Sequence, residues 1–216
     1  MPFPAGAQPG IDVSHYQAAV DWSAVVSGGD VFAFAKASEG ATVKDLYFVD
    51  NWSGIKAAGL LRGAYHFFHP AIDAQAQADF FLQRLSQANG GSPQLAPGDL
   101  PAALDLEVTD GVNPAAIIAG ASEWLATVQA ATGRVPLLYT YVNFWQNTMG
   151  NPQDLIAYPL WIAHLNVNAP TVPGGWPNWL FWQFDKQPVA GVPGAVVDLD
   201  AFDGTLHDLQ SLAGYQ

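Results

Sequence analysis

Short apolar segments that favour strands alternate with stretches of helical periodicity along this 216-residue sequence. Alternation of this kind is typical of parallel strands connected by right-handed helical crossovers. The pattern predicts eight strands, in the segment GIDVSHYQ from residue 10 onward and at residues 31–38, 61–68, 100–111, 135–141, 159–164, 180–184 and 195–200. Eight strands in this arrangement favour a barrel that is closed or nearly closed.

Helical segments separate the first strands and become scarce after the fifth. They are predicted at residues 45–58, through Ala76, Phe80 and Leu85, from Pro114 to a stop at Gly133, at residues 144–148 and at residues 206–212. The helix from Pro114 has Asn113 as its cap and Ile117, Trp124 and Val128 on its buried side. We therefore predict an α/β protein with a single irregular, flattened TIM-like β/α barrel, whose helices are missing after the last strands. An open doubly wound sheet is the alternative, but no glycine-rich phosphate fingerprint favours it.

Composition limits the classes of protein and of partner. Hydrophobic residues make up 50% of the chain and charged residues 12%, against the usual charged share of about 25%, so the chain is predicted to be globular. The formal charge of −12 repels phosphate backbones, so we expect no nucleic-acid partner. We also expect no membrane partner, because no apolar run reaches the roughly 18 residues that span a bilayer. The chain has no cysteine, which excludes disulfides and thiol chemistry.

One domain is expected over residues 10–216, after a Pro/Gly-rich lead-in at residues 1–9. The lead-in, MPFPAGAQP, lacks the basic and apolar regions of a secretory signal. Export without a signal, or a signal that has been removed, are both compatible with this segment.

The segment LPAALDLEVTDG carries two carboxylates inside an apolar run. Because alternate strand residues face opposite sides, Asp105 and Glu107 are predicted to share the barrel interior with Ala103. Leu104, Leu106 and Val108 are then predicted to face the helices. Two carboxylates are tolerable at the carboxyl-terminal mouth of a barrel, where active sites of such folds lie. By itself the pattern DxE is weak, since a solvated strand end would look the same.

Polar and aromatic residues occur near the ends of the other predicted strands. The candidates are Asp12, Lys36, Tyr65, Phe67, Tyr139, Tyr141, Trp161, Trp182, Gln183 and Asp198. Each could individually be a cap, a surface ion pair or part of the core. If all strands are parallel, however, these residues converge on one rim, which favours a functional cluster over coincidence.

Carboxylates surrounded by tyrosine and tryptophan suit glycoside hydrolysis, because one carboxylic acid protonates the leaving oxygen and negative charge stabilises an oxocarbenium-like transition state. With Asp105, Asp12 and Asp198 ionised nearby, we expect the pKa of Glu107 to rise toward the working pH. Aromatic rings would cover the apolar faces of sugars. The competing chemistry is metal-dependent hydrolysis through His15, His66, His69 and His164. The spacing of His66 and His69 on a strand end favours structural histidines instead, so no metal or cofactor is expected.

Eight segments together resemble glycoside hydrolase family 25. They are GIDVSHYQ with VDW, FAFAKASEG, LLRGAYHFFHP, AALDLEV, PLLYTY, LWIAHL, WLFWQF and AVVDLDAF, in order from about residue 10 to residue 202. The resemblance implies that the domain at residues 10–216 is a catalytic barrel. It further implies a lysozyme that cleaves the β-1,4 bond between N-acetylmuramic acid and N-acetylglucosamine in peptidoglycan.

The resemblance also implies roles for individual residues. Glu107 falls on the family's acid, Asp105 on its partner, and Asp12 and Asp198 on its terminal aspartates. Lys36, Tyr65, Tyr139 and Tyr141 fall on sugar contacts. Asp200 departs from the family's pattern, in which asparagine is common at this position, and by alternation it shares the face of Asp198.

Two mechanisms remain open at this point, a covalent intermediate on Asp105 or attack by the substrate's own acetamido group with Asp105 steadying an oxazolinium. We favour substrate assistance, and retention of configuration follows in either case. Alternative functions are a non-catalytic carbohydrate-binding domain and a chitinase-like acetamido-sugar hydrolase. The expected partners are glycan strands of peptidoglycan. The protein itself is expected to be a monomer. The expected location is extracellular or at the cell wall, and a phage endolysin released from the host cytoplasm also fits.

Overall fold

The computed structural model describes residues 3–194 and 196–216. These residues contain nine strands and five α-helices. The strands are β1 (Gln8–Val13), β2 (Phe32–Glu39), β3 (Val43–Lys44), β4 (Leu61–Phe67), β5 (Ala103–Asp105), β6 (Leu137–Tyr141), β7 (Leu160–Ala163), β8 (Phe181–Gln187) and β9 (Val197–Phe202). The helices are α1 (Trp22–Gly28), α2 (Phe48–Ala57), α3 (Ala74–Ala88), α4 (Pro114–Thr132) and α5 (Leu206–Leu212). A 3₁₀ turn covers His15–Gln17 and a π-helical turn covers Phe144–Thr148. The first two residues of the predicted lead-in, and Ala195 at the start of the predicted last strand, lie outside the described residues.

Eight of the strands form a closed barrel in the order β1-β9-β8-β7-β6-β5-β4-β2, and pairing of β1 with β2 completes the circle. The two-residue strand β3, which the sequence pattern did not predict, pairs with the end of β2 outside this circle. Residues 164–180 and 188–194 carry turns and no helix, so the predicted loss of helices after the late strands is confirmed. The predicted irregular β/α barrel is confirmed with them.

The last barrel strand runs antiparallel to its neighbours. The assumption in the sequence analysis that all strands are parallel was therefore wrong. β9 pairs antiparallel with both β1 and β8, while the other barrel pairs are parallel. As a result the first residues of β9, and not its last, lie at the mouth where the parallel strands end. Asp198 pairs with Asp12 on one side and with Lys186 on the other.

The core has two layers because strand side chains alternate. One cluster fills the barrel and includes Phe34, Ala103 and Phe181. The second lies between strands and helices and includes Leu104 and Leu106. The prediction that Ala103 points into the barrel while Leu104 and Leu106 point toward the helices is therefore confirmed.

Helix α4 shows how local sequence sets an element. The Asn113 side chain accepts a hydrogen bond from the Ala116 N–H at 3.1 Å, and Pro114 occupies the first turn, where a missing N–H costs nothing. Gly133 ends the helix with φ +76°, a left-handed conformation that glycine adopts without strain. All three assignments agree with the sequence pattern. Within the described residues, no helix is both long and apolar enough to span a bilayer.

Candidate active site

A cavity of about 450 Å³ opens at the mouth of the barrel, where the parallel strands end. It is lined by Asp12, Ser14, Tyr16, Gln17, Lys36, Glu39, Tyr65, Phe67, Asp105, Glu107, Tyr139, Trp161, Gln183, Lys186 and Asp198. Ten of the twelve candidates named from the sequence are in this set, and Tyr141 and Trp182 are not. The four predicted carboxylates share one cavity.

Asp105 and Glu107 lie on the same wall, although β5 ends at Asp105. The chain beyond stays extended, because the Leu106 N–H donates to the Tyr139 carbonyl at 3.0 Å. Leu106 packs outward, so the side chain of Glu107 points into the cavity beside that of Asp105. Asp105 is 8% exposed, whereas Glu107 is only half-buried and is therefore the more accessible of the two.

Asp12 is held at the centre of a short hydrogen-bond chain. The Gln183 side-chain amide donates to the Asp12 carboxylate at 2.7 Å, and the Tyr139 hydroxyl donates to the Gln183 carbonyl oxygen at 3.0 Å. Three strands, β1, β6 and β8, are thereby connected across the mouth. These two hydrogen bonds fix the orientation of the Gln183 side-chain amide and restrict the movement of that side chain.

Asp200 lies inside the barrel beneath the mouth and does not line the cavity. It is fully buried, and the Trp161 indole N–H donates to its Oδ1 at 2.8 Å. Burial, together with the charges of Asp12 and Asp198, raises the pKa of Asp200 well above its usual range. The alternation that placed Asp200 on the face of Asp198 is correct, but a protonated Asp200 adds no charge to the mouth.

Three carboxyl groups of the cavity, those of Asp12, Asp105 and Glu107, have raised pKa values mainly because they are buried. Burial, and next the charge of Asp198, raises the pKa of Asp12 to about 8. Burial, and next the charge of Glu107, raises the pKa of Asp105 well above its usual range. The pKa of Glu107 is also raised, by burial first, while Lys186 and Lys36 act against the shift. The pKa of Glu107 is thus raised, as expected from the sequence. The main cause, however, is burial and not the repulsion by neighbouring carboxylates.

Lys36 is held by a cluster that joins the end of β2 to the loops after β4 and β5, which we call the His69 clamp (Lys36, Glu39, His69 and Asp110). The Lys36 ammonium donates to Glu39 at 2.6 Å and lies 4.9 Å from the centre of the Phe67 ring. His69 contacts Glu39 through Nε2 at 3.1 Å and Asp110 through Nδ1 at 2.9 Å. Burial disfavours the charged imidazole, but the two carboxylates outweigh it, so the pKa of His69 is raised. The clamp keeps a positive charge in place on the cavity wall.

Lys186 supplies the second cation of the wall. Its ammonium lies 2.8 Å from the Asp198 carboxylate, across the antiparallel pair of β8 and β9. The ion pair outweighs burial and raises the pKa of Lys186. Asp198 therefore sits between the cation of β8 and the carboxyl group of Asp12.

Two candidates lie elsewhere. Trp182 points away from the barrel, where its indole N–H donates to the His164 carbonyl at 2.9 Å, so it cannot contact a substrate in the cavity. Neighbouring strand residues face opposite sides, and the structure assigns the inward place to Gln183. Tyr141 lies beside the cavity, in an adjoining pocket, with its ring 5.7 Å from that of Phe144.

Five lining residues were missed by the sequence argument: Ser14, Tyr16, Gln17, Glu39 and Lys186. Four of them directly follow or end β1 and β2, so extending the strand-end rule by a few residues would have found them. Lys186 follows a register shift between Gln183 and Asp185, and no feature of the sequence indicated it.

The histidines make structural contacts. His66 is buried between Ser38, at 2.8 Å from Nδ1, and Gln77, at 3.2 Å from Nε2, and burial lowers its pKa to about 3. His15 contacts Asp45 at 3.1 Å. Within the described residues, no three His, Cys, Asp or Glu side chains are arranged to hold a metal ion.

Comparison with known proteins gives one consistent family. The model of the family described as "Glycosyl hydrolases family 25" matches residues 11–192. Lysozyme M1 of Streptomyces globisporus is 37% identical over 212 residues, covering 94% of this chain and 70% of the relative. N,O-diacetylmuramidase of Arthroderma benhamiae is 36% identical over 217 residues, covering 97% of this chain and 88% of the relative.

The fold gives the same result. The crystal structure of the bacterial lysozyme from Streptomyces coelicolor superposes with a TM-score of 0.88 at 36% identity, covering 97% of this chain and 98% of that one. The resemblance drawn from eight sequence segments is confirmed by these matches, as is the expectation of a glycoside hydrolase. The chain belongs to glycosyl hydrolases family 25.

Proposed function

We propose that this glycoside hydrolase is a muramidase that cleaves the β-1,4 bond between N-acetylmuramic acid and N-acetylglucosamine in peptidoglycan. The observation that carries the proposal is the pair Asp105 and Glu107 on one wall of the mouth cavity, opposite Asp12 and Asp198. Relatives that match most of the chain are named lysozyme and N,O-diacetylmuramidase, which supports peptidoglycan as the substrate.

Glu107 acts as the general acid in this proposal. It is the more exposed member of the pair and its pKa is raised, so it can carry a proton to a glycosidic oxygen entering from the cavity. The charges of Lys36 and Lys186 limit that rise. After the leaving sugar departs, the ionised Glu107 takes a proton from the attacking water, as microscopic reversibility requires.

Asp105 orients and stabilises the reacting acetamido group. In the substrate-assisted route, the carbonyl oxygen of the muramic acid's own acetamide attacks the anomeric carbon as the bond to the leaving sugar breaks. The resulting oxazolinium carries positive charge on its ring nitrogen, next to the carboxyl group of Asp105, which accepts that N–H. Water then opens the ring from the face that the leaving sugar occupied, so configuration is retained.

Aromatic and amide groups of the cavity wall bind the sugars. Tyr65, Phe67 and Tyr139 offer ring surface to the apolar faces of pyranoses. Trp161 is 2% exposed and supports Tyr139, whose ring lies 5.0 Å away in an edge-on contact. Gln183 and Lys36 offer polar hydrogen atoms to sugar hydroxyls and acetamido oxygens. We further propose that the enzyme acts as a monomer on glycan strands of the cell wall.

Analysis of the digestion products tests the bond that is cut. Purified peptidoglycan is digested, reduced with borohydride, and the soluble fragments are identified by mass spectrometry. The proposal predicts that each new reduced end is derived from N-acetylmuramic acid. Reduced N-acetylglucosamine at the new ends would identify a glucosaminidase and overturn the proposal.

The stereochemical course is tested separately by NMR. A spectrum taken within the first turnovers, before mutarotation, is expected to show the β-anomer of the new reducing end. First-formed α-anomer would exclude the retaining routes. Trapping of a sugar ester on Asp105 would exclude substrate assistance and leave the covalent route.

A further inference from the structure

A second pocket adjoins the mouth cavity, and we call it the side pocket. Its volume is about 460 Å³, and it shares the side chains of Tyr139, Gln183 and Lys186 with the mouth cavity. The side pocket therefore lies directly beside the mouth cavity, with these three side chains at their common boundary. Nothing in the proposed reaction at the mouth requires this second space.

The side pocket offers hydrogen-bond donors. The Thr171 N–H donates to Nδ1 of His164 at 3.1 Å, so the imidazole proton is on Nε2 and is available to a ligand. Gln146 lines the pocket, and its amide makes no hydrogen bond to another described residue. Asn147 uses one amide hydrogen on Asn143, at 2.6 Å, and keeps a second.

Charge distinguishes the side pocket from the mouth cavity. The mouth cavity is lined by five carboxyl groups, whereas the described lining of the side pocket includes no Asp or Glu and one ammonium group, that of Lys186. In a chain with a formal charge of −12, a depression whose described lining has no carboxylate repels an anionic group less than the mouth cavity does.

The wall that carries Gln146 and Asn147 is a π-helical turn. The Met149 N–H donates to the Phe144 carbonyl at 2.9 Å, a hydrogen bond that spans five residues. The wider turn inserts a residue relative to an α-helix, and such turns are frequent at functional sites. Trp145 anchors the turn from behind, since its indole N–H donates to the Pro152 carbonyl at 3.1 Å.

We infer that the side pocket binds the anionic peptide that peptidoglycan carries on the lactyl group of muramic acid, an inference that rests on the proposed muramidase function. The ligand's carboxylates and amide carbonyls are acceptors, which match the donors of His164, Gln146 and Lys186. A stem of three to five residues reaches about 10–17 Å when extended, enough to enter an adjoining pocket from a sugar bound at the mouth. Tyr141 supplies apolar contact surface beside the polar groups.

A charge swap at Gln146 tests the inference with two substrates. The substrates are soluble glycan strands that keep their stem peptides and the same strands after an amidase has removed the peptides. For Gln146→Glu, we expect the ratio of kcat/KM on peptide-bearing strands to kcat/KM on stripped strands to fall about tenfold, through KM, because the new carboxylate repels the stem. Gln146→Lys should move this ratio in the opposite direction.

The control is Gln83→Glu on the exposed face of α3, which adds the same charge far from the mouth. An unchanged ratio in both Gln146 variants would overturn the inference. Equal losses on both substrates would also overturn it, since the side pocket would then bind sugar. Failure of the wild type to cleave either substrate would instead overturn the proposed function.

Discussion

Burial raises the pKa values of Asp12, Asp105 and Glu107 more than the repulsion between neighbouring carboxylates does. Asp12 is the plainest case, because burial is the largest cause of its raised pKa and the charge of Asp198 comes second. The same order holds for Asp105, where Glu107 contributes after burial. Glu107 differs from these two in being less deeply buried, and both Lys186 and Lys36 oppose its shift, whereas of these two lysines only Lys186 opposes that of Asp12 and only Lys36 that of Asp105. Differences in burial and in neighbours therefore separate one accessible acid from carboxyl groups of the same chemical type.

Removal of the ionisable group at Asp105 should be severe. For Asp105→Asn, we expect kcat on purified cell walls to fall by about a hundredfold or more, because an amide cannot stabilise the positive charge that develops on the acetamido group. Circular dichroism and thermal unfolding should remain close to those of the wild type. Asp203→Asn, an exposed aspartate just after β9, is the matched control. A rate within a few-fold of wild type would remove Asp105 from the mechanism.

The raised pKa of Asp12 predicts how stability varies with pH. A carboxyl group with a folded pKa of about 8 and an unfolded pKa near 3.9 binds its proton more tightly in the folded state, so its contribution is lost as pH rises between these values. Between about pH 7 and 8, where His66 is neutral in the folded state and mostly neutral in the unfolded state, Tm should fall as pH rises. Asp12→Asn should show a smaller fall over this range. Identical slopes for the two proteins would show that Asp12 does not hold its proton.

Sequence reasoning located most of these residues but not their partners. Asp105, Glu107, Asp12 and Asp198 could be found because each stands out as a charge in an apolar strand. Lys186 could not be found, since its place opposite Asp198 depends on the antiparallel register and on a shift in β8.

At the scale of elements, the eight barrel strands and helices α2 to α5 were predictable, whereas helix α1, strand β3 and strand direction were not predicted. The alternation of periods identified the eight barrel strands, and cap residues such as Asn113 fixed the start of α4. An isolated strand pattern looks the same in either direction, so the one indication of the reversal of β9 was its short connection from β8, since parallel strands need a crossover of about a dozen residues or more. The error did not separate Asp198 from the site, because Asp198 is near the start of a reversed strand and thus at the mouth. Trp182 and Gln183 could not both face inward, and the sequence gives no rule for choosing between them.

The His69 clamp connects the end of β2 to the loops after β4 and β5, so its loss should act through Lys36. For His69→Gln, we expect kcat to fall about tenfold, the effect of about 1.4 kcal/mol at the transition state, because Glu39 is less firmly held and Lys36 moves. The imidazole has a raised pKa, so the stability it adds is complete below about pH 6.5 and is lost as pH rises through the raised value. The difference in Tm between wild type and variant should therefore be larger at pH 5.5 than at pH 8.

His207→Gln on α5 is the matched control, because His207 is exposed and lies far from the mouth. A pH-independent difference in Tm, together with wild-type kcat, would show that the His69 clamp positions nothing in the site.

For the whole molecule, net charge governs the approach to the substrate. A chain with a formal charge of −12 is repelled by an anionic cell wall at low salt. Raising ionic strength from about 10 mM to about 150 mM shortens the screening length from about 30 Å to about 8 Å. We expect the rate of wall lysis to rise over this range, while cleavage of a short neutral glycan changes little. Lysis that falls steadily with added salt would contradict this view of the charge.

If Glu107 delivers a proton to the leaving sugar, Glu107→Gln should act differently on substrates with two kinds of leaving group. On cell walls, where the leaving alcohol needs the proton, we expect a loss of about a hundredfold to ten-thousandfold. On an aryl glycoside of N-acetylmuramic acid with an acidic phenol, which departs without protonation, most of the rate of bond cleavage should remain. Glu123→Gln on the exposed face of α4 should match wild type on both substrates. Equal loss on both substrates, or undiminished wall lysis, would contradict the assignment of Glu107 as the acid.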